Sequence, residues 1–266
     1  NTEAVRILTG KDGVEGVVLA DGTTVETRHI VANCAPHLVY GKMMENVPER
    51  IVRATNARKL SGRGFTMFLG LDATAEEMGV QNHNYFLYDT SDSVRQYHLM
   101  ETIEDNDVQA TVCLNRAQPD CSPEGTCMMY FTTLFMQRED GTDAWSEVTP
   151  ENYVRTKNRV ADRMIERFER DTGARIRDHI EEISIATPMT YARYCGHPQG
   201  TIYGYESQYW DGLMPRLQMM NEDYENGVRG LRFAGGYAMR LSGYSSAYHA
   251  GDISGRQTVG DLKREG

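Results

Sequence analysis

Leu231-Arg232-Phe233-Ala234-Gly235-Gly236, together with the run from Tyr244 to Leu262, is the stretch on which the fold turns. The six residues read as a short buried strand closing on a diglycine, and the later run reads as a helix with Ser245 and Ser246 in its first turn. A strand that hands bare backbone to a helix N-terminus suits a negatively charged or electron-rich ligand. Unpaired N–H groups and the positive end of the helix dipole both face that ligand. Many α/β proteins have such a turn, so its meaning depends on the rest of the chain.

The 266 residues are 40% hydrophobic and 25% charged, an ordinary globular composition with room for one large domain or two interleaved ones. A formal net charge of −10 argues against nucleic acid as the main partner. No apolar run reaches the ~20 residues that a membrane-crossing helix needs. Five cysteines, an odd count without a Cys-x-x-Cys pair, fit reduced thiols in a cytoplasmic protein better than a disulfide framework or zinc site. The seven histidines are scattered without His-x-x-x-His spacing, so no metal is expected. Fourteen Met and fifteen Tyr suit either an irregular core or a pocket for a bulky, partly apolar ligand. The chain opens at Asn1, directly in a strand-like run, so a piece or subunit of a larger protein is expected.

Outward from the tail, residues 4–8, 14–20, 23–27 and 30–33 are short β-branched runs separated by Asp12-Gly13 and Asp21-Gly22, the latter a strong hairpin signal. They predict a β-meander and a return strand ending at Asn33-Cys34-Ala35-Pro36, where Pro36 can open a helix. Residues 64–71, 84–88 and 126–135 predict strands of a second sheet, with 97–100 a further strand. Thr149-Pro150-Glu151 starts a helix carrying Val160, Ala161, Met164, Ile165 and Phe168 on one face, and Gly173 ends it. Residues 183–186 form the next strand, and Thr201 to Tyr205 lie in a Gly- and Tyr-rich loop.

Several segments in order now share one pattern: residues 1–8, Gly16 to Gly22, Ile30 to Pro36, Pro123-Glu124-Gly125, Thr187 to Tyr191, Gly200 to Gly204, Phe233 to Gly236 and Ser254-Gly255-Arg256. In these the chain resembles FAD-dependent oxidoreductases of the phytoene desaturase type, a group with carotenoid isomerases and retinol saturase-like proteins inside the amine-oxidase-like flavoprotein superfamily. The resemblance implies an α/β (mixed α+β) fold. A Rossmann-like FAD-binding domain would be built from both chain ends (1–60 and 191–266), and a sheet-and-helix substrate domain from 61–190. The family's Gly-x-Gly-x-x-Gly turn is absent, since Gly62-Arg63-Gly64 continues to Met67. The chain therefore resembles the second part of such a flavoprotein, and a second polypeptide carrying the Gly-x-Gly-x-x-Gly half is the implied partner.

The resemblance also implies cofactor contacts. Ala4 would pass its main chain beside the adenine. Gly235 and Gly236 would approach the pyrophosphate and ribityl chain; many relatives have an acidic residue at the second position, so Gly236 keeps only backbone contact. Gly243, Tyr244, Ser245 and Ser246 match the turn where the last helix meets the flavin's pyrimidine edge, and its dipole would favour negative charge there. Gly251 and Gly255 on that helix are expected to allow close packing on the sheet. Tyr203, Tyr205 and Tyr237 are cavity-lining candidates that could orient a substrate, or act as an acid if a tyrosine pKa were lowered. Arg193 and Arg240 are candidates to bind a substrate carboxylate. No catalytic residue is singled out. The expected reaction is hydride transfer to or from a small or medium-sized organic substrate through flavin N5. The alternative is a non-catalytic binding protein or chaperone with the architecture of a GDP-dissociation inhibitor.

Overall fold

A computed structural model describes residues 1–206, 227–239 and 243–266. The fold is mixed α/β, and the chain divides into two compact units, Asn1–Ser61 with Gly196–Gly266, and Gly62–Cys195.

The first unit begins with an antiparallel meander of β1 (Ala4–Gly10), β2 (Gly13–Leu19) and β3 (Thr24–Glu26). The β2–β3 hairpin turns at Asp21-Gly22, where Gly22 takes φ 84° and donates to the Leu19 carbonyl at 3.0 Å. A separate pair of parallel strands follows: β4 (Ile30–Ala32) and β10 (Leu231–Phe233), in register Leu231↔Ile30 to Phe233↔Ala32. Pro36 opens α1 (Pro36–Leu38), which continues into a wider turn at Val39–Met43; α2 is Glu49–Asn56. Val39, Tyr40, Ile51, Leu231 and Phe233 form the core between these elements. After β10 come α6 (Gly236–Met239) and the 22-residue α7 (Tyr244–Glu265).

Helix α7 is attached by two buried residues and by polar contacts along its length, with Glu265 pairing with His29 at 3.1 Å near its end. Ala250 and Ser254 are its buried residues, Ser254 Oγ donates to the Phe233 carbonyl at 2.6 Å, and Asp261 pairs with the buried Arg232 at 2.6 Å. The expected packing role of Gly251 and Gly255 is overturned. A Cβ at either position meets nothing within 4 Å among the described residues, so neither glycine is required for a close approach. Replacing both by alanine should therefore raise the thermal midpoint, each change being worth about 0.5–1 kcal/mol of helix propensity. A fall in that midpoint would mean the glycines are packed after all.

The second unit is a five-stranded antiparallel sheet in the order β6-β7-β8-β5-β9, formed by β5 (Arg63–Leu71), β6 (Asn84–Leu87), β7 (Gln109–Cys113), β8 (Cys127–Phe135) and β9 (Ile180–Ala186). Strand β8 alternates cleanly, burying Cys127, Met129, Phe131, Thr133 and Phe135 on one face. The 23-residue α4 (Pro150–Thr172) covers that face with Val160, Ala161, Met164, Ile165 and Phe168, and Phe168 meets Phe131 edge-on at 5.4 Å. Its ends follow the sequence signals: Asn152 Oδ1 accepts the Thr149 N–H at 2.9 Å, and Gly173 closes the helix at φ 74°.

The expected strand at residues 97–100 is instead the end of helix α3 (Ser93–Leu99). The Asp92 carboxylate accepts from the Val94 and Arg95 N–H groups, so a local cap outweighs the β-like side chains that follow. Strand β7 and helix α2 have no counterpart among the sequence expectations. Helix α5 (Pro188–Cys195) occupies the Thr187-Pro188 segment, and the Tyr191 hydroxyl donates to Thr66 Oγ1 at 2.7 Å.

Candidate functional site

In the first unit, the two parallel strands end side by side and both chains turn at once. Ala234 N–H still donates to the Ala32 carbonyl at 2.9 Å, after which Gly235 adopts φ 78°. A Cβ on Gly235 would sit 2.3 Å from Asn33 Oδ1, and one on Gly236 would sit 2.7 Å from the Tyr203 carbonyl oxygen. Gly204, at φ 82°, comes as close from the other side, its missing Cβ lying 2.5 Å from the Gly236 carbonyl oxygen. The diglycine is thus needed for backbone-to-backbone contact with the 203–204 loop. That loop is stitched down in turn: Ser61 N–H donates to the Gly204 carbonyl at 2.9 Å, and the buried Ser61 and Thr201 hydroxyls are 2.8 Å apart.

Beside these turns lies a cavity of about 190 Å³ lined by Tyr40, Arg58, Tyr205, Phe233 and Tyr237 among others. Tyr205 and Tyr237 meet edge to face at 5.2 Å, Tyr40 meets Phe233 at 5.6 Å, and the Arg58 guanidinium stands 5.1 Å over the Tyr205 ring. The Tyr237 hydroxyl is 3.3 Å from His197 Nδ1, and the His37 ring lies 5.9 Å from that of Tyr205. His37 Nδ1 is buried with no hydrogen-bond partner among the described residues.

The electrostatics keep this wall neutral apart from its arginines. Burial raises the Tyr40 and Tyr237 hydroxyls above the ordinary tyrosine value, with the neighbouring Tyr205 adding to both. Tyr237 is therefore a donor that stays protonated, not a low-pKa acid. Burial, and after it the Arg58 charge, lowers His37; burial also lowers His197. Both imidazoles take a proton less readily in the folded chain, so the unfolded chain binds more protons as the pH falls below the free value of 6.5. Stability contributed here is present above that value and is lost as the pH drops toward the depressed folded values. The urea midpoint should fall from about pH 7.5 to about pH 5.5, and His37→Gln combined with His197→Gln should flatten that slope.

The remaining sequence candidates fall as follows. Tyr205 and Tyr237 line the cavity, while Tyr203 is not among its lining residues and contributes its carbonyl to the Gly236 contact. Ala4 opens β1 opposite Leu19 and is exposed. Gly243, at φ 97°, precedes α7 with no side-chain cap, and Tyr244 and Ser245 are exposed. Among the described residues, nothing lies within 4 Å of where a Gly243 Cβ would be. Arg193 belongs to α5 in the other unit, exposed and 5.4 Å from the Tyr194 ring. Arg240 lies outside the described residues. Sequence reading does not single out Asn33, His37, Tyr40, Arg58 or His197. The Pro36 helix start carried a usable signal for two of them, since it puts His37 and Tyr40 three residues apart on one helical face. No His/Cys/Asp/Glu group able to hold a metal occurs among the described residues.

No protein-family model matches the chain. Over 154 residues it is 25% identical to the all-trans-retinol 13,14-reductase of Danio rerio, a match covering 53% of this chain and 25% of that protein. Over 216 residues it is 26% identical to the 4,4'-diaponeurosporene oxygenase of Staphylococcus haemolyticus, covering 76% of this chain and 40% of that protein. Among solved structures, an oxidoreductase from Methanosarcina mazei superposes with a TM-score of 0.55 at 13% identity, over 96% of this chain and 49% of the other. A cofactor-binding variant of putrescine oxidase superposes with a TM-score of 0.59 at 9% identity, over 99% of this chain and 49% of the other. The chain thus spans about half of these structures' length, and at these identities the superpositions speak for the fold alone.

Proposed function

We propose that the chain is the C-terminal part of an FAD-dependent oxidoreductase of the amine-oxidase-like flavoprotein superfamily, a reading supported by its similarity to a retinol reductase and a diaponeurosporene oxygenase and by its fold. The observation that carries the proposal is the pair of parallel strands ending in the Gly235 turn, followed by a helix, α7, with no side-chain cap at its start among the described residues. When bound, FAD supplies hydride exchange with an organic substrate at its N5.

The residues fit that cofactor in part. The start of α7 at Gly243, Tyr244, Ser245 and Ser246 would offer backbone N–H groups and the positive dipole end to an electron-rich edge. Gly235 and Gly236 supply main chain only, and the flank of Gly236 toward Tyr203 is already filled by protein. Ala4 supplies main chain on the adenine side. The Tyr237 hydroxyl, which stays protonated, would orient a polar group at the cavity, with the Tyr205 ring lining it and His37 packed against that ring.

Residues 62–195 serve as the substrate-binding part in this reading. The sheet face away from α4 carries Phe68, Phe86 and Met128, all exposed, with Tyr130 opposite Phe68, a surface suited to the apolar body of an organic substrate. Arg193 or Arg240 would hold a substrate carboxylate.

A second polypeptide, or a further segment, carrying the Gly-x-Gly-x-x-Gly half completes the assembly. Two features favour it. Parallel sheets are normally covered on both faces, yet among the described residues β4 and β10 pair only with each other. Along α7, Tyr244, Tyr248, Val259 and Leu262 form a mostly apolar stripe of exposed side chains. Five free cysteines suit a cytoplasmic setting, and no helix among the described residues is long and apolar enough to cross a membrane. The test is colour. Assembled with a polypeptide bearing the Gly-x-Gly-x-x-Gly half, the complex should absorb near ~450 nm and bleach under reductant. A stable but colourless complex would overturn the redox reading in favour of a non-catalytic binding protein.

A further inference from the structure

Three of the five cysteines belong to one hairpin of the second unit. Cys113 closes β7, Cys127 opens β8, and Cys121 sits half-buried in the loop between them. Cys113 and Cys127 are buried, 0% and 1% exposed, and their sulfurs are 3.5 Å apart. A single buried thiol is ordinary core packing. Two thiols in contact at the ends of adjacent strands have a chemistry that a single one lacks.

We propose that Cys113 and Cys127 are an oxidation site, a dithiol that a peroxide-class oxidant closes to a disulfide. The Cys113 thiolate attacks one oxygen of hydrogen peroxide; the O–O bond breaks and, with one proton, water leaves, so that Cys113 becomes a sulfenic acid. The Cys127 sulfur then attacks the Cys113 sulfur; the S–O bond breaks and a second water departs. Two thiols lose two electrons and two protons, and one peroxide becomes two waters.

The surroundings support this order of events. The hydrogen bond between the two thiols, and behind it the nearby Arg116, lowers Cys113 below the ordinary thiol value, while Cys127 is raised. Arg116 is itself held in place by its Nε bond to the Val80 carbonyl at 2.7 Å. Asn115 keeps the hairpin ends together, donating to Ser122 Oγ at 2.8 Å and accepting from the Met128 N–H at 2.8 Å. A disulfide needs the sulfurs at ~2.05 Å, so they must approach by roughly 1.5 Å. That movement falls where the ladder gives out, since Cys113↔Met129 is the last β7–β8 pair.

The experiment exposes the folded, reduced chain to hydrogen peroxide, blocks the remaining free thiols and maps peptides without reduction. The expected result is a loss of about 2 Da in intact mass and a single cross-linked peptide joining Cys113 to Cys127, both reversed by dithiothreitol and both absent in Cys113→Ala. The wild-type map carries the test if that variant fails to fold. A link through Cys121, sulfinic acid at Cys113 without a link, or a Cys113–Cys127 bond that forms only in urea would each overturn the proposal.

Discussion

Asp143→Ala should lower the stability of residues 62–195 by about 3–5 kcal/mol, the largest effect we expect from a change of one side chain. Arg63 and Asp143 are 3% and 6% exposed and face each other at 2.9 Å, so losing the carboxylate leaves a guanidinium buried without its counter-charge. Burial already lowers the Arg63 pKa, and the Asp143 charge offsets only part of that shift. Asp143 has a second task as well: its Oδ1 accepts the Trp145 N–H at 2.7 Å at the head of a short helical turn. The two contributions separate in a pair of variants. Arg63→Met with Asp143→Leu removes both charges and should recover all but about 1 kcal/mol, the value of the lost cap. Urea unfolding followed by tryptophan fluorescence reads the difference, because Trp145 packs against Phe65 and Phe135 in this core. A double variant no more stable than Asp143→Ala would refute the buried-charge explanation.

The second large effect concerns the diglycine. Gly236→Asp would introduce the acidic residue common at this position in the resembling family, yet it should weaken the chain and not improve ligand retention. Its Cβ would stand 2.7 Å from the Tyr203 carbonyl oxygen, which is backbone and cannot swing aside. Forcing the 203–204 loop away should cost about 1–3 kcal/mol. Gly204→Ala should be worse, about 2–5 kcal/mol, because its φ of 82° adds left-handed strain to a 2.5 Å approach to the Gly236 carbonyl. Gly22→Ala supplies the control: φ is 84° but nothing lies within 4 Å, so only the strain of about 1–2 kcal/mol remains. Thermal midpoints ranking Gly22→Ala as the mildest and Gly204→Ala as the most severe would support the close contact. Equal losses at Gly22 and Gly204 would rule it out.

The elements read from the sequence are those whose evidence is local. Strands β1, β5 and β8 announce themselves by β-branched and aromatic runs, and α4 by its period and by stops at both ends. Strand β7 was not legible, because Gln109-Ala110-Thr111-Val112-Cys113 is short and half polar; its place comes from pairing with β6 on one side and β8 on the other. Helix α3 differs for the opposite reason: its signal is the single local cap at Asp92, while the side chains downstream are β-like.

For the site, Leu231 to Gly236 and the Tyr244 helix pointed to a buried strand, a glycine turn and an open helix start. Those features follow from residue size, φ freedom and hydropathic period, which a short window of chain contains. Other features could not be read that way. Gly236 answers to the Tyr203 carbonyl, Gly235 to Asn33, and the cavity wall joins Tyr40 and Arg58 to Tyr205, Phe233 and Tyr237. Such partners lie far apart along the chain and share no period. The orientation of α7 follows the same logic: its composition allowed Gly251 and Gly255 to meet the sheet closely, but the helix is anchored at Ala250, Ser254 and Asp261 instead. A local pattern can say which backbone shapes are affordable; which of them touch is decided by how distant segments pack, since burial and hydrogen bonding are properties of the pair.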